Sequence, residues 1–338
     1  MALPAGAVAP VTPSPWRRIT SLEVLCAALV LAMLGQGPIV RILDVPGLRT
    51  GATVFVAVCV QAMPFLVLGV LVSGLIAAFV SPAALRRALP RRTAAAVPVA
   101  GAAGMMLPGC ECASVPVARR LMQQSVPPAA ALTFLLAAPA VNPVVLVSTA
   151  VAFPGEPRMV AARFLGSLGT AVVMGWLWAR FARPGWIAER ALHRPQRDPG
   201  RGCWAVFTET ARHDLVSSGG FLVLGGLTAA ALNVLVPTSV MASLAGHLLL
   251  GVLVMALLAV VLALCSEADA FVVASLSMLP LLPRLVFLVV GPVVDVKLIA
   301  LQAGAFGRGF AARFAPATFV MAVGCAVLAG VLVLGGIR

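Results

Sequence analysis

Two short segments of the chain combine thiols and carboxylates with residues that break helices. The first, residues 108–116, reads Pro-Gly-Cys-Glu-Cys-Ala-Ser-Val-Pro, and its polar members are Cys110, Glu111, Cys112 and Ser114. The second, residues 265–269, contains Cys265, Ser266, Glu267 and Asp269. Apolar sequence flanks both segments, and charged groups within a membrane usually mark a function. A position in a surface loop, where carboxylates cost nothing, is the alternative.

A second pair of polar breaks follows these segments. Residues 138–143 read Ala-Pro-Ala-Val-Asn-Pro, and residues 291–297 read Gly-Pro-Val-Val-Asp-Val-Lys. Prolines remove backbone donors and kink a helix. Asn142 can offer a donor and an acceptor to a solute, or it can only cap a half-helix. Asp295 and Lys297 can compensate each other's charge, although residues two apart do not face each other on a regular helix.

These residue types allow three kinds of chemistry. Thiolates favour soft ions, and Cys265 could add a third sulfur to Cys110 and Cys112 if the two segments meet. The carboxylates of Glu111, Glu267 and Asp269 could carry protons. An intramembrane enzyme with Cys110 as nucleophile, or a redox pair of Cys110 and Cys112, is an alternative.

The sequence lacks the residues that usually accompany an enzyme nucleophile or a redox dithiol. No histidine stands near either cysteine segment to act as a base, and the cysteines lack the Cys-x-x-Cys spacing of redox dithiols. His193, His213 and His247 are not at ligand spacing. We therefore predict a transporter rather than an enzyme, with no resident metal and no cofactor.

The elements that carry these residues are those of a membrane protein. Of 338 residues, 61% are hydrophobic and 10% are charged, whereas soluble domains carry about 25% charged residues. A membrane span needs roughly 20 apolar residues. The segments that meet this length are 19–40, 52–80, 127–153, 159–181, 215–236, 285–306 and 310–336.

The net charge of +13 comes from arginines that cluster in loops. The positive-inside rule produces this distribution, so we do not expect nucleic acid as a partner. The chain has no GxxxxGK[ST] loop and therefore no recognisable ATP site. The expected partners are a small-molecule or metalloid substrate and the lipid bilayer, and a homo-oligomer is left open.

Four short matches in the same order indicate an internal repeat. Residues 65–69 recur as 221–225, and residues 161–164 recur as 311–314; Cys110 matches Cys265, and Pro139 with Asn142 matches Pro292 with Asp295. We divide the chain into an N-terminal tail with a first transmembrane helix (1–50), a first repeat (51–181), a basic cytoplasmic linker (182–212) and a second repeat (213–338).

Charge predicts the orientation. Arg17 and Arg18 place the N-terminus inside, although a cleaved signal peptide competes with a retained first helix. The basic loop after residue 80 and the linker 182–212 also belong inside. One apolar stretch between them must then enter and leave on the same side, and 93–123 is the candidate because prolines break it.

The predicted fold is an all-α polytopic membrane protein with about seven full spans. Two re-entrant or broken helical hairpins, 93–123 and 246–280, complete it. An odd number of crossings per copy would make the twofold internal repeat an inverted one. Inverted repeats with broken helices that meet near the midplane are the architecture of many secondary transporters.

Three stretches also resemble a known family. Residues 107–119, residues 134–145 and residues 265–271 (Cys-Ser-Glu-Ala-Asp-Ala-Phe) look like the motifs of the YraQ-like permease family, which includes the ArsP-type organoarsenical efflux permeases. The resemblance covers about residues 50–320. It implies a permease of the bacterial inner membrane in which Cys110, Cys112 and Cys265 hold trivalent arsenic. Glu111 stands where a small polar residue is more usual, which could favour a cationic or proton-coupled solute.

The sequence thus predicts a secondary-type permease that exports a small solute, such as a trivalent organoarsenical or another soft, thiol-binding species. An ion gradient, a substrate gradient or a separate subunit would drive it. The predicted substrate-binding residues are Cys110, Glu111, Cys112, Ser114, Asn142, Cys265, Ser266, Glu267, Asp269, Asp295 and Lys297.

Overall fold

The computed structural model describes residues 46–90, 92–107, 110–183, 185–192, 202–235, 248–276 and 279–335. Within these ranges all regular secondary structure is helical and no strand occurs, which confirms the all-α prediction. The predicted first span 19–40, Arg17, Arg18, and residues 108 and 109 of the first cysteine segment lie outside the described residues, as do the whole loop 237–246 and parts of the linker.

The first half of the described chain places short helices between two long ones. The long helices are α1 (Pro46–Phe79) and α7 (Pro157–Phe181). Between them lie α2 (Pro82–Ala88), α3 (Thr93–Gly104), α4 (Glu111–Gln123), α5 (Pro128–Val141) and α6 (Pro143–Ala152).

The second half has a similar order of helix lengths. A single turn, α8 (Glu189–Leu192), precedes it, and the long helices are α9 (Cys203–Leu235) and α14 (Arg308–Leu334). Between them lie α10 (Leu248–Leu262), α11 (Asp269–Ser275), α12 (Leu281–Val290) and α13 (Val296–Phe306). Helix α9 begins inside the segment predicted as the linker. The domain boundaries and the inverted relation of the two copies stay predictions.

Among the described residues, five stretches are long and apolar enough to cross a membrane, which makes the chain polytopic: Gly47–Phe79, Pro128–Ala152, Pro157–Phe181, Cys203–Ala231 and Arg308–Leu334. The predicted span 285–306 is instead divided between α12 and α13, of 10 and 11 residues. Neither helix alone reaches the roughly 20 residues that a bilayer needs. The count of seven full spans stays a prediction.

The stretch 93–123 is broken into half-length helices. Helices α3 and α4 have 12 and 13 residues and are separated at the first cysteine segment. In the stretch 246–280, α10 has 15 residues and α11 has seven, and they are separated at the second cysteine segment. That each of these stretches enters and leaves the membrane at the same face stays a prediction.

The break between α5 and α6 has a local cause. A proline disfavours helical backbone in the residue before it, and Asn142 before Pro143 is extended, with φ −69° and ψ 156°. Asp295, which precedes α13, is also extended, with φ −141° and ψ 170°. Each break therefore exposes a new helix N-terminus inside the protein.

Helices α5 and α12 form the centre of the unit Thr50–Arg338. All residues from 129 to 141 of α5 and from 282 to 290 of α12 are buried. Apart from Thr133 and Arg284 these residues are apolar, and a helix that is apolar on nearly all sides belongs in a core or in a membrane. Large apolar side chains of the outer helices, such as Val60, Leu249 and Leu332, are exposed instead. This surface suits contact with lipid.

Gly69 sets how closely α1 packs on α4. A Cβ atom at Gly69 would lie 2.5 Å from the Ala113 Cα and 2.6 Å from the Ala113 carbonyl oxygen, and this backbone cannot move aside cheaply. We expect Gly69→Ala to destabilise the protein by about 1–3 kcal/mol through overpacking, measured as a lower thermal unfolding midpoint in detergent.

The control for this prediction is Gly220→Ala on α9. A Cβ atom there meets no atom within 4 Å, and alanine favours the helix by about 1 kcal/mol over glycine. The midpoint of Gly220→Ala should therefore equal or exceed that of the wild type. Equal midpoints for the two variants would show that the α1–α4 contact tolerates the methyl group.

Candidate functional site

The first cysteine segment lies at the buried start of α4. Cys110 is the N-cap residue, with extended backbone and no side-chain capping bond. Cys110, Glu111 and Cys112 are all buried, and one ligand atom from each lies within 4.8 Å of the other two. Two sulfurs and a carboxylate thus share one small volume in the protein interior.

Cys265 brings a third thiol to the same place. The Cys110 thiol contacts the thiols of both Cys112 and Cys265. Cys265 lies in the turn between α10 and α11, where its carbonyl accepts hydrogen bonds from the amides of Ala268 (2.9 Å) and Asp269 (3.0 Å). The segments therefore do meet. All three cysteines are free thiols and almost fully buried.

Lys297 connects the second-half break to the first cysteine segment. Its Nζ donates to Glu111 Oε1 at 2.8 Å and lies 3.6 Å from Asp295 Oδ2. The sequence suggested only Asp295 as a partner, and the shorter contact is with Glu111. Asp295 has a second task, because its Oδ1 accepts a 2.6 Å bond from the Leu298 amide and caps α13. A carboxylate at a helix N-terminus is also favoured by the helix dipole.

Arg163 pairs with the second cysteine segment and is absent from the predicted site. Its side chain is completely buried on α7. Nη2 donates to Asp269 Oδ2 at 2.8 Å and to the Ser266 carbonyl at 3.1 Å, and Nη1 donates to Thr149 Oγ1 at 2.7 Å. The available signal was an arginine inside an apolar segment, which is costly unless it has a role.

Asn142 and Ser114 bond to nearby backbone. The Asn142 Nδ2 donates to the Ala138 carbonyl at 3.0 Å, and its Oδ1 accepts from the Val145 amide at 2.9 Å. Ser114 Oγ donates to the Glu111 carbonyl at 3.0 Å. These bonds account for helix capping and local backbone satisfaction, so a substrate-binding role for either residue stays a prediction.

Several buried polar atoms near the thiols have no hydrogen-bond partner among the described residues. They include Glu111 Oε2, Ser266 Oγ and Asp269 Oδ1. Glu267 is only partly buried, and its carboxylate contacts the Cys265 thiol. Buried polar atoms are normally paired, so each of these groups calls for an explanation. A bound solute or water would supply one.

A third buried ion pair lies further along α4, away from the thiols. Arg120 Nη2 is 3.5 Å from Asp214 Oδ2 on α9, and the same oxygen accepts a 2.7 Å bond from Ser73 Oγ on α1. Nine residues separate Glu111 from Arg120, which corresponds to about 14 Å along a helix. The network thus joins three helices at the end of α4 that faces away from the thiols.

Comparison with known proteins identifies the family. The family model ArsP_1, described as "Predicted permease", matches residues 48–333. This chain belongs to that permease family. The assignment confirms the family predicted from the cysteine motifs and a multi-pass membrane protein that fits transport. Nothing in it supports an intramembrane enzyme.

Two curated relatives of this permease have similar lengths. The chain is 31% identical over 284 residues to a Streptococcus mutans protein named "Putative two-component membrane permease complex subunit". The aligned region covers 82% of this chain and 94% of that protein. The chain is 34% identical over 294 residues to the "UPF0718 protein YcgR" of Bacillus subtilis, covering 84% and 96%. No solved structure matches the permease.

Proposed function

We propose that this protein is a secondary-type permease that exports a soft, thiol-binding solute, such as a trivalent organoarsenical, across the bacterial cytoplasmic membrane. The observation that carries the proposal is the contact of the Cys110 thiol with the thiols of Cys112 and Cys265. These cysteines come from two segments far apart in sequence, and all three are buried where the segments meet. Soft sulfur ligands select soft cargo.

The chemistry of such cargo fits exchange between thiols. A trivalent organoarsenical diol that binds two cysteines forms two S–As bonds and releases two water molecules. No oxidant is consumed, and another thiol or water reverses the step. Because the Cys110 thiol contacts both of the others, the cargo can move from the Cys110–Cys112 pair to the Cys110–Cys265 pair without leaving the site.

The charges around the thiols favour a cationic occupant. Four carboxylates face two bases in the described site: Glu111, Glu267, Asp269 and Asp295 against Lys297 and Arg163. Coulomb interactions are strong in a site of low dielectric, so carboxylates that are ionised in excess of Lys297 and Arg163 must be balanced by bound protons or by another positive species. That species is the cargo itself or a cation that moves with it.

The burial of the thiols fits a transporter in a closed state. All three cysteines are at most 3% exposed, so solutes cannot reach them in this conformation. The pairs of helix breaks supply places where half-helices can move around a fixed site. We propose that the two halves open the thiols to one face at a time, with the N-terminus in the cytoplasm. A partner subunit, as the name of the Streptococcus mutans relative describes for that protein, is compatible with this scheme.

The test is transport into inverted membrane vesicles. Methylarsenite, arsenite and Cd²⁺ are offered in turn to wild type, Cys110→Ser/Cys112→Ser and Cys265→Ser. We expect each thiol variant to lose at least about tenfold in initial rate for a transported solute, equivalent to about 1.4 kcal/mol.

Cys59→Ser and Cys325→Ser are the matched controls, because these half-buried cysteines lie outside the three-thiol cluster. Their rates should stay within about twofold of wild type. Transport that survives the loss of Cys110 and Cys112 would contradict the thiol site. A wild-type protein that moves none of the three solutes would contradict the soft cargo.

A further inference from the structure

We propose that Arg163 is a positioning residue that holds Cys265 against Cys110 by binding the Ser266 carbonyl and the Asp269 carboxylate. The proposal rests on the proposed function, because it concerns how the three-thiol site is assembled. Arg163 belongs to the first half of the chain, whereas its two partners flank Cys265 in the second half. One side chain therefore connects the halves beside the cargo site.

The geometry makes Arg163 a clamp rather than a simple counter-charge. Its Nη2 donates to both the Ser266 carbonyl (3.1 Å) and Asp269 Oδ2 (2.8 Å). Its Nη1 donates to Thr149 Oγ1 at 2.7 Å, and the Thr149 hydroxyl itself donates to the Val145 carbonyl at 2.7 Å. Thr149 on α6 thus fixes Nη1 of the guanidinium, while Nη2 holds the turn that carries Cys265.

The turn that carries Cys265 is closed by the two backbone bonds that its carbonyl accepts, but its surroundings make it depend on outside contacts as well. Ala263 has a φ of 49°, an uncommon conformation for a residue with a side chain. The helix that follows, α11, has seven residues, and short helices depend on tertiary contacts. Since Ser266 follows Cys265 directly, a bond to its carbonyl fixes the backbone next to the thiol. Without Arg163 the turn can relax and carry Cys265 away from Cys110.

A role in charge balance alone gives a different expectation. Lysine keeps the positive charge but lacks the planar fork that binds several acceptors at once. If Arg163 only neutralises Asp269, Arg163→Lys should keep both the stability and the Cd²⁺ ligands of the wild type. If Arg163 positions Cys265, Arg163→Lys should keep the stability but lose the third sulfur ligand. The double variant Arg163→Met/Asp269→Asn removes both charges together and so avoids an unpaired buried carboxylate.

Arg313 offers a matched control. It occupies the corresponding place in the repeated Ala-Ala-Arg-Phe segment on α14. Its side chain is exposed, donates to the Gly309 carbonyl at 2.9 Å and lies 5.5 Å from the Trp186 ring centre. Arg313→Met therefore removes the same group from the same motif without touching the thiols.

The experiment measures Cd²⁺ binding to the purified full-length protein in detergent. X-ray absorption at the cadmium edge counts the bound sulfurs, and titration of the thiolate charge-transfer band gives the Kd. We expect three sulfurs for wild type and for Arg313→Met. Arg163→Met/Asp269→Asn and Arg163→Lys should show two sulfurs, as Cys265→Ser does. Loss of groups that orient metal ligands weakens affinity by about 10–100-fold.

A positioning role also predicts non-additivity. Adding Arg163→Lys to Cys265→Ser should not raise the Kd for Cd²⁺ further, since the sulfur that Arg163 positions is already absent. Three sulfurs with an unchanged Kd in the Arg163 variants would overturn the inference, as would full rescue by lysine. Wild type that binds Cd²⁺ without any sulfur would overturn the proposed function itself, and this outcome is visible before any Arg163 variant is compared.

Discussion

Lys297→Met is expected to destabilise the protein by about 3–5 kcal/mol, the usual cost of removing one partner from a buried ion pair. Lys297 is 2% exposed, and its ammonium group lies 2.8 Å from Glu111 and 3.6 Å from Asp295. Without it, two carboxylates share a buried volume with no cation between them. A lower thermal unfolding midpoint in detergent and a loss of transport in vesicles are the two measurements.

The double variant Glu111→Gln/Lys297→Met is the control that separates charge from shape. It restores the net charge that the wild-type cluster has, because one negative and one positive group disappear together. Most of the lost stability should return, whereas transport should not if Glu111 contributes to the site beside Cys110 and Cys112. A double variant no more stable than Lys297→Met would show that the two residues are not energetically coupled.

Asp214→Asn should weaken the contact that joins α1, α4 and α9 beyond the thiols. One oxygen of Asp214 accepts a hydrogen bond from Ser73 at 2.7 Å and lies 3.5 Å from Arg120. The side chains of Asp214 and Arg120 are both buried. Hydrogen bonds to charged groups contribute about 1.5–3 kcal/mol, so we expect a loss of stability in that range. If this network closes the path to the thiols, Cys110 should also become accessible.

Labelling with a membrane-impermeant maleimide tests this accessibility. Peptide mass spectrometry follows Cys110 in sealed vesicles of each orientation. In Asp214→Asn, modification should become faster from the cytoplasmic face, where the predicted re-entry of 93–123 places the end of α4 that carries Arg120. An unchanged rate would show that the network does not limit access, and faster labelling from the opposite face alone would contradict the predicted orientation.

Glu209→Gln provides the comparison on the same helix. Glu209 pairs with Arg212 at 3.2 Å, but their side chains are 55% and 75% exposed. Exposed pairs of this kind contribute about 0–1 kcal/mol. Neither the unfolding midpoint nor the labelling of Cys110 should change measurably in this variant.

The helix breaks could be predicted because their cause is local. Pro143 restricts the backbone of Asn142 whatever surrounds it, and the polar groups of Asn142 then cap the new helix. The division at 291–295, where Gly291, Pro292 and Asp295 separate α12 from α13, was predicted from the same kind of local signal. Whether 285–306 still crosses the membrane as one broken span stays a prediction.

The partners of the charged residues could not be predicted in the same way. The sequence suggested Asp295 for Lys297 because the two are neighbours, whereas the shorter contact is with Glu111, 186 positions away. Arg163 was noticed only as part of a repeated segment, yet it binds Asp269, 106 positions away. Its repeat counterpart Arg313 is exposed, so the motif alone does not predict burial.

By itself the sequence determined the helical membrane character, the family and the thiol-bearing segments at which the helices break. Composition, proline geometry and motif spacing act within one segment, so they can be read without knowledge of the fold. Only the tertiary structure decided that the Cys110 thiol contacts those of Cys112 and Cys265, and that Lys297 and Arg163 each pair across the two halves. Such contacts depend on how α4 packs against α13 and how α7 meets the turn before α11, and that packing is a property of the whole chain.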